Sequence, residues 1–499
     1  MENFLVQLQK KYKMTVKNMS FTDEEIFSLF GKEAAEDEVD TTRFNEYFLK
    51  TEVVNSCLSD IDIRLIVGHK GIGKSALFKH LKGELHKRNE SIISITPLDI
   101  KQLPNSDNIG DMTNEWICGL KKCIILELAK EKKMKFPAKI ADKIVSQKIA
   151  DISEEVIDAM MEVLKTTGKK YHILVDDIDI EWTGDTSTIR RTSAMINAIR
   201  KLVQEYAMLY FKVSIRTDAY YQYRKSDEST DKIGTRLVWL KWDNNELLAL
   251  LAKRIITYFG GSISDDELIN LNEEEVQDIL GIIFEKNYHG EGKWSNIPIN
   301  KLLVRIIRKR PRDLIKICHL AARKAHENKS KLIGTNELFA VFNEYSQERL
   351  QDTINEYKSE LPTIDILLHN MRPTTQYKRS YKNYFIYTND QLHKKIKNIM
   401  NNHNFTRNTG IEKGAGNRIA IKVTSVKDLE FFLYKINFLL AIKDINGELE
   451  ECYFEEQRYL LDEGADYGFK WKIHPAFHWA LNPGHNYHDS FITLGEMRL

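Results

Sequence analysis

The chain has 499 residues, 42% of them hydrophobic and 29% charged, and a formal net charge of +1. That length exceeds what one hydrophobic core organises, so two or three domains are expected, with the composition of a globular protein rather than a disordered or fibrous one. A charge so close to zero excludes a uniformly basic nucleic-acid coat and leaves only local patches to argue from.

Residues 1–40 read as an N-terminal helical segment. Their opening, "MENFLVQLQKKYK", lacks the apolar centre of a signal peptide, and apolar runs such as "INFLLAI" are too short to span a bilayer. Cys57, Cys118, Cys123, Cys318 and Cys452 show neither CxxC nor His/Cys ligand spacing, which points to reduced thiols in a cytoplasmic protein without membrane association.

The first chemical signal is "RLIVGHKGIGKSALFKHL", residues 64–81. A β-branched apolar run predicts a buried strand over 63–67, and Leu77, Leu81 and Leu85 recur at helical spacing over 74–87. Between them "GHKGIGKS" is a full GxxxxGK[ST] match. Gly68, Gly71 and Gly73 let backbone N–H groups close around phosphates at the positive end of a helix. Gly68, Gly71, Ile72, Gly73, Lys74, Ser75 and Ala76 are the expected nucleotide-binding set, with Lys74 on the β/γ-phosphates and Ser75 on Mg²⁺.

A second strand is expected over 91–97, followed by a helical insertion over 98–170 that serves either partner contacts or packing. "KKYHILVDDIDIEW" then carries a strand over 172–177 ending in two carboxylates. Asp176 is the expected Mg²⁺ ligand beside Ser75, and Asp177 the group that orients the attacking water; Asp179 can support either, and an acidic turn is the competing reading. After a helix come a strand over 209–216 and a short one over 236–240. Arg216 emerges from the former, as a γ-phosphate sensor or as a structural bridge to Asp218. Strands alternating with helices imply a parallel α/β sheet. The charged stretch 223–234 reads as a mobile loop.

On these residues the chain resembles the AAA+ and STAND branches of the P-loop NTPases over residues 40–350. "GHKGIGKS" matches Walker A, "ILVDD" Walker B in a two-Asp form, and "VSIRTD" looks like the sensor 1 strand. The wider sequence is similar to bacterial P-loop ATPases, some of which lie near antiphage defence genes. The resemblance implies an ATPase core over 41–242, a helical lid over 243–355, ATP and Mg²⁺ as ligands, and a homo-oligomer or a complex with a separately encoded effector. Many active AAA+ enzymes carry Asp-Glu where this chain has Asp176-Asp177, which implies slow turnover.

"WDNNELLALLAKRIITYFG" opens the lid with a capping box between Asp243 and Glu246. Pro311 divides two later helices, the second beginning at Arg312 and Asp313. "RPRD" looks like the sensor 2 region, making Arg310 or Arg312 a nucleotide contact, or a mere decoration of a helix start near Asp313. Arg236 and Arg254 are candidates for a finger acting in trans.

Beyond about residue 355 the composition shifts. Residues 365–423 hold 11 Lys/Arg against 3 Asp/Glu. Within them Lys378, Arg379 and Lys382 alternate with Tyr377, Tyr381 and Tyr384, a pattern suited to the phosphates and bases of DNA or RNA, or to a solvated face or acidic partner. A capped helix over "TSVKDLEFFLYK" and a hairpin signal at Asn446-Gly447 make 356–499 resemble a winged-helix domain. His474 is read as a core or turn histidine ahead of Pro475, with an ADP-sensing role the sharper alternative. Two functions follow: an ATP-driven switch in a bacterial multi-component system such as antiphage defence, or an ATP-modulated DNA-binding protein of initiator or loader type.

Overall fold

The computed structural model describes residues 2–482 apart from 101–105, 107, 131–152, 227–232, 291–294, 375–384, 412–417, 446–447 and 458–467. The chain divides into two compact units: Thr51–Leu240 with Asn408–Ile419, and Met1–Lys50 with Lys241–Arg407 and Ala420–Leu499.

The first unit is built on five parallel strands: β1 (Ile63–Val67), β2 (Ser91–Ile95), β3 (Tyr171–Val175), β4 (Leu209–Ile215) and β5 (Leu237–Trp239). Their order across the sheet is β2-β3-β4-β1-β5. Every residue of β1 and β3 is buried. That is the demand of a parallel sheet covered on both faces, and it explains why these strands read as largely apolar, interrupted only by Arg64 and His172, rather than alternating. The order separates β1 from β3 by β4, so the three chain segments leaving these strands share one edge. This is the parallel α/β sheet that the alternation of strands and helices predicts.

The insertion's described helices belong to this core. Trp116, Leu120, Ile124 and Leu128 line the buried face of Ile109–Lys130, and they join Met161 and Leu164 of Glu154–Thr166 in the apolar cluster beneath the sheet. The segment 227–232, within the expected mobile loop, lies outside the described residues.

In the second unit, Asn244–Tyr258 opens with the expected capping box: Glu246 N–H donates to Asp243 Oδ1 at 2.7 Å, and Asp243 N–H to Glu246 Oε2 at 3.0 Å. Pro311 occupies the first turn of Pro311–Asn328, and Thr335–Tyr357 packs beside it. The first fifty residues belong here too. Thr41–Tyr47 packs on Asn244–Tyr258, with the Arg254 guanidinium 4.5 Å over the Tyr47 ring, so the sheet unit begins at Thr51, later than the expected boundary at 41. The C-terminal part holds Asn389–Asn402, Val426–Lys435 and a four-stranded antiparallel sheet. Leu439–Ile445 and Glu448–Cys452 pair as a hairpin; its turn, Asn446-Gly447, lies outside the described residues.

Candidate nucleotide-binding site

The loop after β1 is shaped by glycine. Gly71 and Gly73 take φ of 78° and 109°, a region costly for L side chains, and Gly73 stands immediately before the helix Lys74–Lys87. At Gly68 the constraint is space, since a Cβ would lie 2.7 Å from Ile72 Cγ2 and 3.3 Å from the Leu240 carbonyl oxygen.

Lys74 is buried and curls back over its own loop, donating from Nζ to the carbonyls of Gly68 at 3.1 Å and His69 at 3.4 Å. Burial pushes its ammonium pKa down, opposed first by Asp179 and then by Asp177. A desolvated ammonium at the mouth of a glycine loop, hydrogen-bonded to two neutral carbonyls, fits an anionic ligand. Ser75 and Ala76, both half-buried, follow in the first turn of the helix.

The carboxylates emerge one strand away from β4. Asp176 is half-buried and Asp177 exposed. Asp177 takes φ 51°, an uncommon left-handed setting for a non-glycine residue, and the chain turns sharply there, with Ile180 N–H donating to its carbonyl at 2.9 Å. Asp176 Oδ1 accepts the Asp177 N–H at 3.1 Å and the hydroxyl of Ser214. The oxygen-rich pair Ser75 and Asp176 is the hard donor set Mg²⁺ prefers, so the residues present fit that ion. No cluster of three or more His, Cys, Asp or Glu suited to holding a metal occurs among the described residues.

Arg216 leaves β4 between these two elements. Its guanidinium forks onto Asp218, Nε to Oδ1 at 3.1 Å and Nη2 to Oδ2 at 3.0 Å, and lies 3.6 Å from Asp179 Oδ2. Its backbone N–H donates to Asp179 Oδ1 at 3.2 Å. The structural bridge to Asp218 is therefore formed, with Asp179 as a second buried acid beside it. Burial pushes the Asp179 carboxyl up to about 6, against the pull of Arg216 and Lys74.

Sequence reasoning missed Ser214 and Thr217. Ser214 is buried on β4 and bridges the Asp176 carboxylate and the Asp177 N–H; Thr217 follows Arg216 and buries a hydroxyl with no hydrogen-bond partner among the described residues. The signal available was a pair of hydroxyl residues, Ser214 and Thr217, around the C-terminal end of a buried strand.

Arg310 is buried in the helical unit with Nη1 3.5 Å from Glu356 Oε2, whereas Arg312 is half-exposed. Asp313 pairs not with Arg312 but with Arg308, across Pro311. Arg236 pairs with Asp62 at 2.7 Å, and Arg254 packs over Tyr47. His474 is a core histidine: its Nδ1 accepts the Ala476 N–H at 3.1 Å, Nε2 meets the Tyr453 hydroxyl at 2.9 Å, and burial pushes its pKa far down. Lys378, Arg379 and Lys382, with Tyr377, Tyr381 and Tyr384, lie outside the described residues.

Comparison with known proteins adds three kinds of likeness. A family model described as the FunZ-associated C-terminal helical domain matches residues 245–354, from within Asn244–Tyr258 to within Thr335–Tyr357. A transposon gamma-delta 80.3 kDa protein of Escherichia coli (strain K12) is 21% identical over 508 residues, covering 92% of this chain and 67% of that protein. Among solved structures, the Aeropyrum pernix ORC2 protein in ADPNP–ADP complexes aligns over 93% of both chains at 10% identity and a TM-score of 0.41. Drosophila ORC bound to DNA aligns over 93% of this chain and 92% of that one, at 12% identity and a TM-score of 0.34. The Thermotoga maritima RuvB Holliday junction branch migration motor covers 62% of this chain and 78% of its own, at 13% identity and 0.29. At such scores these structures carry no argument about the site, which rests on the loop, the acids and the sheet order.

Proposed function

We propose that the chain binds ATP with Mg²⁺ at the loop 68–76 and hydrolyses it, using nucleotide state as a switch. The observation that supports this most is Lys74: a buried ammonium folded over a left-handed glycine loop, on the same sheet edge as Asp176 and Asp177. Lys74 and the loop N–H groups bind and orient the phosphates. Ser75 and Asp176 would hold Mg²⁺, which neutralises phosphate charge when bound. Asp177, exposed at the turn after β3, orients the attacking water. Arg216 serves as the γ-phosphate sensor. The two-Asp form supports slow turnover. The switch is proposed to act in the cytoplasm through oligomerisation or control of a separately encoded effector in a bacterial multi-component system, antiphage defence being the setting the family resemblance suggests.

Equilibrium binding of a fluorescent ATP analogue and phosphate release decide this reading. Lys74→Ala is expected to lose binding, and Asp177→Asn to bind normally while turnover falls by about 100-fold or more, the scale of losing a positioned acid–base group. Undiminished hydrolysis by Lys74→Ala protein would overturn it.

A second reading, ATP-modulated DNA binding through a winged-helix-like C-terminal domain, is supported by the surplus of basic residues over 365–423 and by the transposon-encoded relative. Salt-dependent DNA affinity that disappears when Lys378, Arg379 and Lys382 are neutralised together would establish it.

A further inference from the structure

We propose that Ser214 is a positioning residue of the nucleotide site, aiming Asp176 at the metal position and locking the turn that presents Asp177. The inference rests on the nucleotide-binding reading above, and its argument comes from the hydrogen bonds of one hydroxyl.

Ser214 is fully buried on β4, in register with Ile66 of β1 on one side and next to β3 on the other. A serine hydroxyl has one proton to give and lone pairs to accept with. Here the proton goes to Asp176 Oδ1, and the oxygen accepts the Asp177 N–H at 3.0 Å. The Ser214 carbonyl takes the next N–H, that of Ile178, at 3.4 Å. One residue of β4 therefore holds three consecutive residues of the turn after β3.

Two consequences follow for the chemistry. Asp176 Oδ1 carries two hydrogen bonds, from Ser214 and from Asp177 N–H, while Oδ2 carries none among the described residues. The carboxylate is thereby oriented, and Oδ2 would be the oxygen available to Mg²⁺. Asp177 keeps its left-handed φ of 51° because its N–H is held at Ser214 and Asp176 and its carbonyl at Ile180. Partners that orient a metal ligand in this way typically change metal affinity or activity by about 10–100-fold when removed.

The test compares wild type with Ser214→Ala, Ser214→Cys and Ser214→Thr below their melting temperatures. Three readouts are taken: nucleotide affinity in EDTA, the gain in affinity on adding Mg²⁺, and kcat against Mg²⁺ concentration. Ser214→Ala should bind nucleotide in EDTA within about twofold of wild type, because Lys74 and the loop are untouched. Its Mg²⁺-dependent gain should shrink and its half-saturating Mg²⁺ rise, each about tenfold, with kcat down at least tenfold. Ser214→Thr, which retains a hydroxyl, should recover most of the loss. If Ser214→Ala does not fold, the isosteric but weakly donating Ser214→Cys supplies the same three readouts. A lowered melting temperature with unchanged Mg²⁺ response and kcat makes Ser214 a packing residue only and overturns the proposal. A wild-type protein that neither binds nor hydrolyses ATP fails the underlying reading instead, and this inference falls with it.

Discussion

At the scale of single residues, Asp179 and Arg216 make the sharpest test of the site's electrostatics. Asp179 is 6% exposed, and burial raises its pKa from the ordinary 3.8 to about 6. Between those values the folded chain holds a proton that the unfolded chain has lost, so the group favours folding as pH falls from 7 toward 4 and opposes it above pH 6. A shift of this size corresponds to about 3 kcal/mol. Asp179→Asn removes the titration, so its unfolding free energy relative to wild type should improve by about that amount on going from pH 4 to pH 7. Urea unfolding at both pH values measures it, and a difference independent of pH would count against a buried, titrating Asp179. Arg216 sits at present on Asp218 and beside Asp179. If it also reads a terminal phosphate, Arg216→Ala should weaken ATP binding by about tenfold while leaving ADP binding close to wild type, about 1.4 kcal/mol in the ATP complex alone. Equal losses for both nucleotides would reduce Arg216 to a structural bridge.

At the scale of elements, the helical unit is tied together by a buried ionic knot at the start of Pro311–Asn328. Asp313 accepts from Arg308 Nε at 2.7 Å and Nη2 at 3.1 Å, and from Arg349 Nη1 at 2.9 Å. Arg308 Nη1 reaches Thr353 Oγ1 at 2.9 Å, so Pro311–Asn328 and Thr335–Tyr357 share one network. Burial alone would raise the Asp313 carboxyl, but Arg308 and Arg349 hold it well below the usual carboxylate range. Removing the shared acid strips the buried Arg308 of its carboxylate and leaves Arg349 on Asp352 at 2.9 Å, and breaking a buried pair from one side costs about 3–5 kcal/mol in comparable sites. Asp313→Ala should therefore destabilise this unit by that amount in urea unfolding, more than Arg312→Ala on the neighbouring half-exposed residue. The "RPRD" string located the helix start correctly through Pro311, whose fixed φ and missing N–H suit a first turn. It could not reveal Arg308 as the partner, because that pairing depends on how the chain bends before the proline.

At the scale of the whole molecule, legibility followed sequence distance. The glycine loop, the acid pair and the capping box at Asp243 are each contiguous, so local chemistry exposed them. Ser214 required the register that seats β4 between β1 and β3, which no local pattern encodes. The N-terminal segment was illegible for the same reason. Read as a helical segment over 1–40, it in fact completes the core of a unit whose remainder begins about two hundred residues later. Phe21, Ile26 and Phe30 are wholly buried there, Thr15 N–H donates to the Phe259 carbonyl at 2.9 Å, and His319 Nε2 meets the Gly31 carbonyl at 2.9 Å. Each fully buried side chain of this size contributes about 1.5–3 kcal/mol, so losing Phe21, Ile26, Leu29 and Phe30 together removes roughly 6–12 kcal/mol, comparable to the stability of an entire domain. Deleting residues 1–31 should accordingly unfold the helical unit while the sheet unit, whose described strands and glycine loop lie within 51–240, retains its fold. Limited proteolysis read by mass spectrometry would then show rapid cleavage within 244–357, with 51–240 remaining protected and still shielded further by ATP. Unchanged protection of 244–357 in the truncated protein would show that the N-terminal helices are an accessory layer, and that the helical unit stands on the knot at Asp313 without them.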